Sequence, residues 1–284
     1  MKQKTLEQSI NINGIGLHSG LSSVLTIMPA PVNTGIIFYR SDINNSPAIS
    51  ATFNNVVDTK NCTCLGKNGS LVSTIEHLMA ALYIMEIDNA IIQCSNPELP
   101  ILDGSATIFL QELQKVKIVE QEAIRKTLKV LKPVRFDDGK GNFVELIPNT
   151  TDELKICFDI EFASKIVGHQ NFDEVITFTN FEEKIAPCRT FCEKYQIDYL
   201  KSIGLIKGGS LENAVVLDGE QLLNPEGFKV KNECVNHKVL DLIGDMYTSG
   251  YRIQADIKAY RTGHFHNNEI LKKLFADSSN FEIL

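Results

Sequence analysis

One predicted helix constrains the fold of this chain more than any other segment. It runs from Thr74 to about Met85, and apolar residues occur all round it rather than on one side. A helix without a polar face is normally covered by protein on every side, so the chain must fold into layers that enclose it. Glu76 and His77 lie in its first turn, where an unpaired charge would be costly. We therefore expect both residues to have a partner or a chemical role.

A structural alternative exists for Glu76. Ser73 and Glu76 have the spacing of a capping box, in which the glutamate accepts a hydrogen bond from the backbone amide of the serine. Capping boxes are common helix starts, so the sequence of this helix alone leaves that alternative open.

A second predicted helix, Cys234–Thr248, separates its polar residues from its apolar ones. His237 and Asp241 are four residues apart, so they lie on one face of the helix about one turn apart. Gly244 and Asp245 fall within the same arc, and the glycine leaves room for another part of the chain to approach. A solvated polar stripe is the alternative, because amphipathic surface helices normally carry one.

The two helices together predict a metal site. If they meet, His77 joins His237 and Asp241 around one divalent cation. Three nitrogen or oxygen ligands with one open position are typical of a catalytic zinc site rather than a structural one. The sequence therefore favours a metal-dependent hydrolase. A two-domain ligand-binding protein with no enzymatic activity is the alternative.

The order of the predicted elements is similar in the two halves of the chain. Each half runs through several strands, a key helix, a further strand and a last helix, which indicates two α+β domains of similar plan. We place the boundary at 117–126, where large apolar residues are few, and we expect domains of residues 1–122 and 127–284. In the first half we predict strands at 21–28, 35–40, 48–57, 62–65 and 89–94, and helices at 74–85 and 106–115. In the second half we predict strands at 128–136, 142–148, 154–162, 174–181 and 252–260, and helices at 190–203, 234–248 and 268–275.

Composition limits the class of function. The net charge of −7 over 284 residues argues against a general nucleic-acid binder. No apolar run approaches the roughly 20 residues that span a bilayer, and the first ten residues lack the apolar core of a signal peptide. The seven cysteines show no disulfide spacing, which fits a reducing compartment. We therefore expect a cytoplasmic protein.

Three histidines lie outside the two key helices. His264 follows a glycine just after a predicted strand, where a loop can present it to a cleft. His169 and His266 have no supporting context, so we expect both on the surface.

Common nucleotide-binding and serine-hydrolase motifs are missing. The glycines of 14–20 do not follow the Gly-x-Gly-x-x-Gly spacing and lie too near the start to follow the first strand of a dinucleotide fold. The chain contains no Walker A motif and no Gly-x-Ser-x-Gly nucleophile elbow.

An ordered series of motifs spans nearly the whole chain. In chain order the motifs are GIGLHSG (14–20), STIEHLMAAL (73–82), IDN (87–89), PILDGSA (100–106), RTF (189–191), GGSLENA (208–214), HKVLDLIGD (237–245) and GH (263–264). This series resembles one family, the UDP-3-O-acyl-N-acetylglucosamine deacetylases of lipid A biosynthesis. No single motif would be specific, but the ordered set is.

The resemblance implies a fold and an activity. The fold is α+β, with two similar domains that each pack helices on a mainly antiparallel sheet, and with the active site between them. The activity is zinc-dependent hydrolysis of the N-acetyl group of UDP-3-O-acyl-N-acetylglucosamine, which releases acetate in the committed step of lipid A biosynthesis in Gram-negative bacteria. Fe²⁺ is an alternative metal. We expect this substrate as the partner, with no nucleic acid, no stable membrane insertion and a monomeric state.

The resemblance also implies roles by position. His77, His237 and Asp241 would hold the zinc. Glu76 would be the general base that activates a water molecule.

Three further residues would complete the chemistry. The hydroxyl of Thr190 would help to stabilise the oxyanion. His264, in its protonated form, would give a proton to the leaving amine, and Asp245 would orient it.

Substrate contacts would come from the cavity walls and from an insert at about 190–212 that forms a tunnel for the acyl chain. Lys238 would meet the sugar or its phosphates, and Phe162 and Arg261 the uridine diphosphate end. Core packing within a helix is the alternative for Ile197 and Leu200. The expected substrate-binding residues are Leu17, Phe162, Phe191, Ile197, Ile206, Gly209, Ser210, Lys238 and Arg261.

The chain departs from the family pattern at a few positions. Lys60 and Asn61 stand where apolar residues near the acyl entrance are usual, and Asn236 stands where an arginine before the histidine is usual. Pro187, shortly before Arg189, is also unusual. These positions concern chain preference and loop shape, not the metal ligands or the base.

Overall fold

A computed structural model describes residues 1–284 and contains six α-helices and twenty strands. The helices are α1 (Glu76–Ile84), α2 (Thr107–Gln114), α3 (Phe178–Asn180), α4 (Lys194–Ser202), α5 (Glu233–Tyr247) and α6 (His264–Phe275). The strands of the first half are β1 (Lys2–Leu6), β2 (Ile10–Ile15), β3 (Ser22–Pro29), β4 (Ile36–Arg40), β5 (Ile49–Ser50), β6 (Val56–Asp58), β7 (Cys64–Lys67), β8 (Ser70–Val72), β9 (Ala90–Cys94) and β10 (Ile118–Ile124). Those of the second half are β11 (Thr127–Val130), β12 (Val134–Asp137), β13 (Phe143–Ile147), β14 (Leu154–Glu161), β15 (His169–Val175), β16 (Phe191–Glu193), β17 (Val215–Asp218), β18 (Gln221–Leu222), β19 (Arg252–Tyr260) and β20 (Phe281–Ile283).

Two larger sheets form the framework. The first has the order β2-β3-β9-β4-β5 and is antiparallel except for the pair β4–β9. The second has seven strands around β19, which pairs with β13 in antiparallel and with β14 and β11 in parallel orientation. Mostly antiparallel sheets covered by helices confirm the predicted α+β class.

Helices α1 and α5 pack against each other at the centre of the molecule. Every residue of α1 is buried, and every residue of α5 is buried except Lys238. The largest apolar cluster takes side chains from α1, α5 and both larger sheets. The enclosure expected for the 74–85 segment is therefore confirmed, whereas the division into domains of residues 1–122 and 127–284 stays a prediction.

Two predicted strands are wrong because local hydrogen bonds favour turns. Within 48–57, a 3-10 turn at Phe53–Asn55 interrupts the strand, and the Asn55 side chain caps it by donating to the Ser50 carbonyl. Within 174–181, Thr177 and Asn180 form a capping box that starts α3. Both segments contain Thr and Asn, whose side chains compete for backbone groups.

Three other boundaries also differ. Residues 117–126, where we place the domain boundary, contain β10, which pairs with β1. The predicted strand 128–136 is two strands, β11 and β12, separated at Pro133, whose ring removes a backbone donor. The predicted helix 190–203 begins as strand β16 and becomes helical only at Lys194, because the main chain of Phe191–Glu193 pairs with β17.

No helix of the structure has the length and apolar character that crossing a membrane would require.

Candidate active site

A glycine allows the two central helices to approach closely. A Cβ atom at position 244 would overlap the carbonyl oxygen of Glu76. The expectation that Gly244 leaves room for another segment is confirmed, and that segment is the start of α1. Because α1 begins at Glu76, this contact places the first turn of α1 beside the His237–Asp245 face of α5.

Three side chains converge at this crossing. The Nε2 atoms of His77 and His237 lie 3.6 Å and 3.4 Å from Oδ1 of Asp241. The ligand atoms of all three residues lie within 4.8 Å of one another. All three residues are buried, so the alternative of a solvated polar stripe on α5 is wrong.

The donor set fits a divalent cation. Tetrahedral zinc with bonds of about 2.0–2.1 Å separates its ligand atoms by roughly 3.3 Å, close to the two distances above. Oδ1 of Asp241 is buried between the two imidazoles and has no hydrogen-bond partner. A buried acceptor without a partner is unfavourable, and a cation at this point would satisfy it. The group of His77, His237 and Asp241 could therefore hold a metal ion.

A hydrogen bond to the main chain fixes the orientation of the His237 ring. Its Nδ1 lies 3.0 Å from the carbonyl oxygen of Cys188, to which it can only donate, so Nε2 is left as the acceptor that faces Asp241. The next residue, Arg189, pairs through Nε at 2.9 Å with Glu233 in the first turn of α5. This buried ion pair ties the 188–189 segment to the helix that carries His237.

The electrostatics of the site suit metal binding. Burial lowers the pKa of His237 to about 3, so its imidazole is neutral near pH 7. Burial disfavours the charged form of Asp241, but His237 and Lys238 outweigh this effect and hold its pKa well below the usual range. The Lys238 ammonium donates to Oδ2 of Asp241 at 2.7 Å, which leaves Oδ1 for a cation.

Glu76 does not close a capping box. Its Oε2 accepts from the backbone amide of Thr63 at 3.0 Å, and α1 has no side-chain cap, so the capping alternative is wrong. Burial raises the pKa of Glu76, while His264 and His77 act in the opposite direction. A carboxylate with a raised pKa is better matched to proton transfer near neutral pH.

His264 faces the same point from a third helix. It is the first residue of α6 and not part of a loop, because α6 begins four residues before the predicted start. Its Nδ1 lies 2.7 Å from Oδ2 of Asp245, and its Nε2 lies 4.0 Å from Oε1 of Glu76. Burial alone would lower the pKa of His264, but Asp245 and Glu76 raise it to about 9.

Asp245 is itself fully engaged. It also accepts from Asn267 of α6 at 2.8 Å and from the hydroxyl of Thr63 at 2.5 Å. Thr63 therefore contacts both Glu76 and Asp245, and it fixes the positions of the two carboxylates relative to each other. Sequence reasoning missed Thr63 because nothing in its local pattern distinguishes it.

A cavity of about 680 Å³ opens onto these groups, within the size range of small-molecule sites. It is lined by the predicted metal ligands, Glu76, His264 and Thr190. The backbone amide of Thr190 donates to the carbonyl of Gly104, and its carbonyl accepts from the amide of Val215. Of the predicted substrate-binding residues, the cavity is lined by Leu17, Phe191, Ile197, Ile206, Gly209, Ser210 and Lys238.

Two predicted substrate contacts do not line the cavity. Phe162 packs behind its wall, with its ring centroid 5.4 Å from that of Phe191. The guanidinium of Arg261 lies over the ring of Tyr260, at 6.0 Å from its centroid. Their contact with the uridine diphosphate end stays a prediction.

The insert forms one wall of the cavity. Helix α4 has no buried residue, yet Ile197 and Leu200 are half-buried and line the cavity. They are therefore wall residues, and their assignment to a helix core is wrong. The wall also carries polar residues such as Lys194, Gln196 and Asp198, so the apolar side chains cover only part of it.

Other positions add to the predictions or differ from them. Sequence reasoning missed His18, which lines the cavity together with Lys60 and Asn61, two of the positions that depart from the family pattern. His169 is exposed as predicted, but His266 is mostly buried beside Phe136 and Asp138. The unusual Asn236 donates to the carbonyls of Lys184 and Lys231, so it fastens the chain at the start of α5.

Comparison with known proteins agrees with this geometry. The profile of the family described as UDP-3-O-acyl N-acetylglycosamine deacetylase matches residues 3–276. Proteins named UDP-3-O-acyl-N-acetylglucosamine deacetylase are 43% identical in Histophilus somni (strain 129Pt) and 42% identical in Haemophilus influenzae (strain PittEE) and Pasteurella multocida (strain Pm70). Each alignment covers 100% of this chain and 93% of the relative. The chain therefore belongs to the UDP-3-O-acyl N-acetylglycosamine deacetylase family.

Proposed function

We propose that this chain removes the acetyl group of UDP-3-O-acyl-N-acetylglucosamine by zinc-dependent hydrolysis. The reaction releases acetate and is the committed step of lipid A biosynthesis, in the cytoplasm of a Gram-negative bacterium. The relatives' names support the substrate. The observation that carries the proposal is a buried His-His-Asp group beside one carboxylate and one imidazole, in a cavity that apolar side chains of the insert partly line.

The metal would be held by His77, His237 and Asp241, with Zn²⁺ as the expected ion and Fe²⁺ as an alternative. A bound ion of this kind polarises a carbonyl group and lowers the pKa of water. The two nitrogen donors suit either ion.

Glu76 acts as the general base. It lies at the start of α1, next to the metal ligand His77, and its raised pKa favours acceptance of a proton from water. The Thr63 amide holds one carboxylate oxygen, so the other, Oε1, faces the site.

His264 acts as the general acid. Asp245 accepts from its Nδ1, so a proton on Nε2 points toward Glu76 and Asp241. A pKa of about 9 keeps His264 protonated at neutral pH. It can therefore stabilise the charge that develops on the tetrahedral oxygen and give its proton to the departing amine.

The remaining residues position the substrate. Thr190 presents its hydroxyl to the developing oxyanion, and Lys238 meets the sugar or its phosphates. Phe191, Ile197 and Ile206 bind the acyl chain, for which each buried methylene contributes about 0.8 kcal/mol. Phe162 and Arg261 would then act at the uridine diphosphate end.

The organisation that goes with this function is two domains, residues 1–122 and 127–284, in a monomer. Glu76 and His77 come from the first and His237, Asp241 and His264 from the second. The proposed partner is the nucleotide sugar, without nucleic acid or stable membrane insertion.

One assay tests the proposal. Acetate release is measured from acylated UDP-N-acetylglucosamine and from bare N-acetylglucosamine, with and without a chelator. We expect turnover of the acylated nucleotide sugar, loss with chelator and recovery with Zn²⁺. The bare sugar should react poorly, because remote binding energy positions the amide. Equal rates for the two substrates would instead favour a hydrolase of another amide or ester.

A further inference from the structure

Glu98 is a buried carboxylate that the proposed chemistry does not use. Glu98 is 2% exposed, and it forms no salt bridge. Instead it accepts from the backbone amides of His18 at 2.8 Å and Ser19 at 2.7 Å, and from the hydroxyl of Thr74 at 3.3 Å. Buried carboxylates are rare unless strongly bonded, so this residue has a specific use.

The donors of Glu98 lie on two segments that line the cavity. Thr74 precedes α1 by two residues, and it adopts a left-handed backbone with φ of 58°. Residues 16–20, here called the 16–20 loop, carry Leu17 and His18, which also line the cavity. Glu98 thus ties the 16–20 loop to the segment that leads into Glu76 and His77.

The 16–20 loop in turn holds the insert. The carbonyl of Leu17 accepts from the amide of Gly208 at 3.0 Å, and that of His18 accepts from the amide of Lys207 at 3.2 Å. The two backbones touch, because a Cβ atom on Gly208 would overlap the carbonyl oxygen of Gly16.

This contact closes the insert side of the cavity. Ile206 and Gly209, on either side of the bonded pair, form part of the cavity wall. Helix α4, just before them, buries no side chain and so supplies little packing of its own. A second contact, Gly104 against the Asn213 carbonyl, holds only the far end of the insert.

We propose that Glu98 is a positioning residue that sets how tightly the cavity closes round the acyl chain. It acts through the 16–20 loop on residues 206–209, and it touches no reacting atom. The acyl chain as occupant rests on the proposed function, whereas the mechanical link from Glu98 to the insert does not. The alternative is that Glu98 only stabilises the fold.

Hydrogen–deuterium exchange of the full chain tests the mechanical link. In Glu98→Gln, an NH₂ group replaces one carboxylate oxygen and faces the backbone donors. At most one of the hydrogen bonds from the His18 and Ser19 amides therefore survives. Gly208→Ala breaks the same contact from the other side. The matched control is Lys207→Ala, because the contact uses the Lys207 main chain. We expect peptides covering 203–210 to exchange at least about tenfold faster in the first two variants, since a hydrogen bond to a charged group is lost or displaced.

Kinetics with a long-chain and a short-chain acyl substrate tests the consequence. In Glu98→Gln and Gly208→Ala we expect the KM for the long chain to rise about tenfold, with kcat and metal content unchanged and the short-chain KM nearly constant. Lys207→Ala should behave as the unsubstituted protein. Thermal unfolding shows whether each variant is folded. If Glu98→Gln does not fold, Gly208→Ala still tests the contact between the 16–20 loop and the insert through which Glu98 is proposed to act.

Several results would overturn the proposal. Unchanged exchange at 203–210 in folded Glu98→Gln would remove the mechanical link, whatever Gly208→Ala shows, and a uniform loss of kcat for both chain lengths would assign Glu98 to structure alone. If the unsubstituted protein shows no deacetylation, the proposed function fails, and the exchange experiment still decides whether Glu98 holds the insert.

Discussion

The centre formed by α1 and α5 and the insert that carries α4 differ in how they are held. In the centre, all of α1 is buried, and the side chains that would do the chemistry are bonded to one another and to the main chain. In the insert, α4 has no buried residue, and the Tyr195 side chain that it carries is 77% exposed. The proposed chemistry would thus rest on a tightly packed crossing of helices, and the proposed selection of the acyl chain on a wall that is held at a few backbone contacts.

The largest expected effect is at a metal ligand. His237→Ala should abolish bound metal and activity, because two donors remain from a set of three. Metal analysis and the acetate assay measure both. His169→Ala is the matched control, since His169 is exposed and does not line the cavity. Activity without metal in His237→Ala would show that the centre is not the reacting site.

A smaller loss is expected at the base. Glu76→Gln should keep the metal but lower kcat by about 10²–10⁴, the usual contribution of general base catalysis. The amide can retain the bond from Thr63 but cannot accept a proton from water. Metal content and kcat are measured on the same sample. Full turnover would refute the role of Glu76.

The pH dependence of kcat/KM tests the role of Asp245. Asp245→Asn removes the charge that raises the pKa of His264, so His264 loses its proton at lower pH. The alkaline fall in kcat/KM should therefore move to lower pH, together with a loss of about 10–100-fold near neutral pH. An alkaline limb that stays in place would mean that another group controls it.

The smallest pair of effects compares the two regions directly. Gly244→Ala should destabilise the fold by about 1–3 kcal/mol, because the new methyl group overlaps the Glu76 carbonyl and forces the helices apart. Tyr195→Ala on α4 should change stability by about 0.5 kcal/mol or less. Urea unfolding of both variants measures the difference. Equal changes would contradict the contrast between a rigid centre and a loosely held insert.

The same contrast explains what the sequence could predict. His77, His237 and Asp241 were found because helical periodicity puts them on definable faces, and a helix that is apolar all round must be buried. Gly244 was found because a glycine within a helix needs a packing reason.

Features of the structure that depend on contacts between residues far apart in the sequence could not be predicted from periodicity. The link from Glu98 to residues 207–208 joins segments about a hundred residues apart through backbone amides, which carry no sequence signal. The prediction of a strand at 174–181 is wrong from Thr177 onward because Thr177 and Asn180 form a capping box, and the prediction of a loop at His264 is wrong because α6 already begins there. The contacts of Phe162 and Arg261 with the uridine diphosphate end stay predictions, because neither residue lines the cavity.

The carbonyl of Cys188 behind His237 has a thermodynamic consequence. An imidazole that rotates freely must lose rotational entropy when it captures an ion, and that loss weakens affinity. Here the ring is already oriented and its tautomer already selected, and the Arg189–Glu233 pair keeps the carbonyl in place. An ion pair one helical turn before His237 would thereby affect the dissociation constant of a cation that it does not contact.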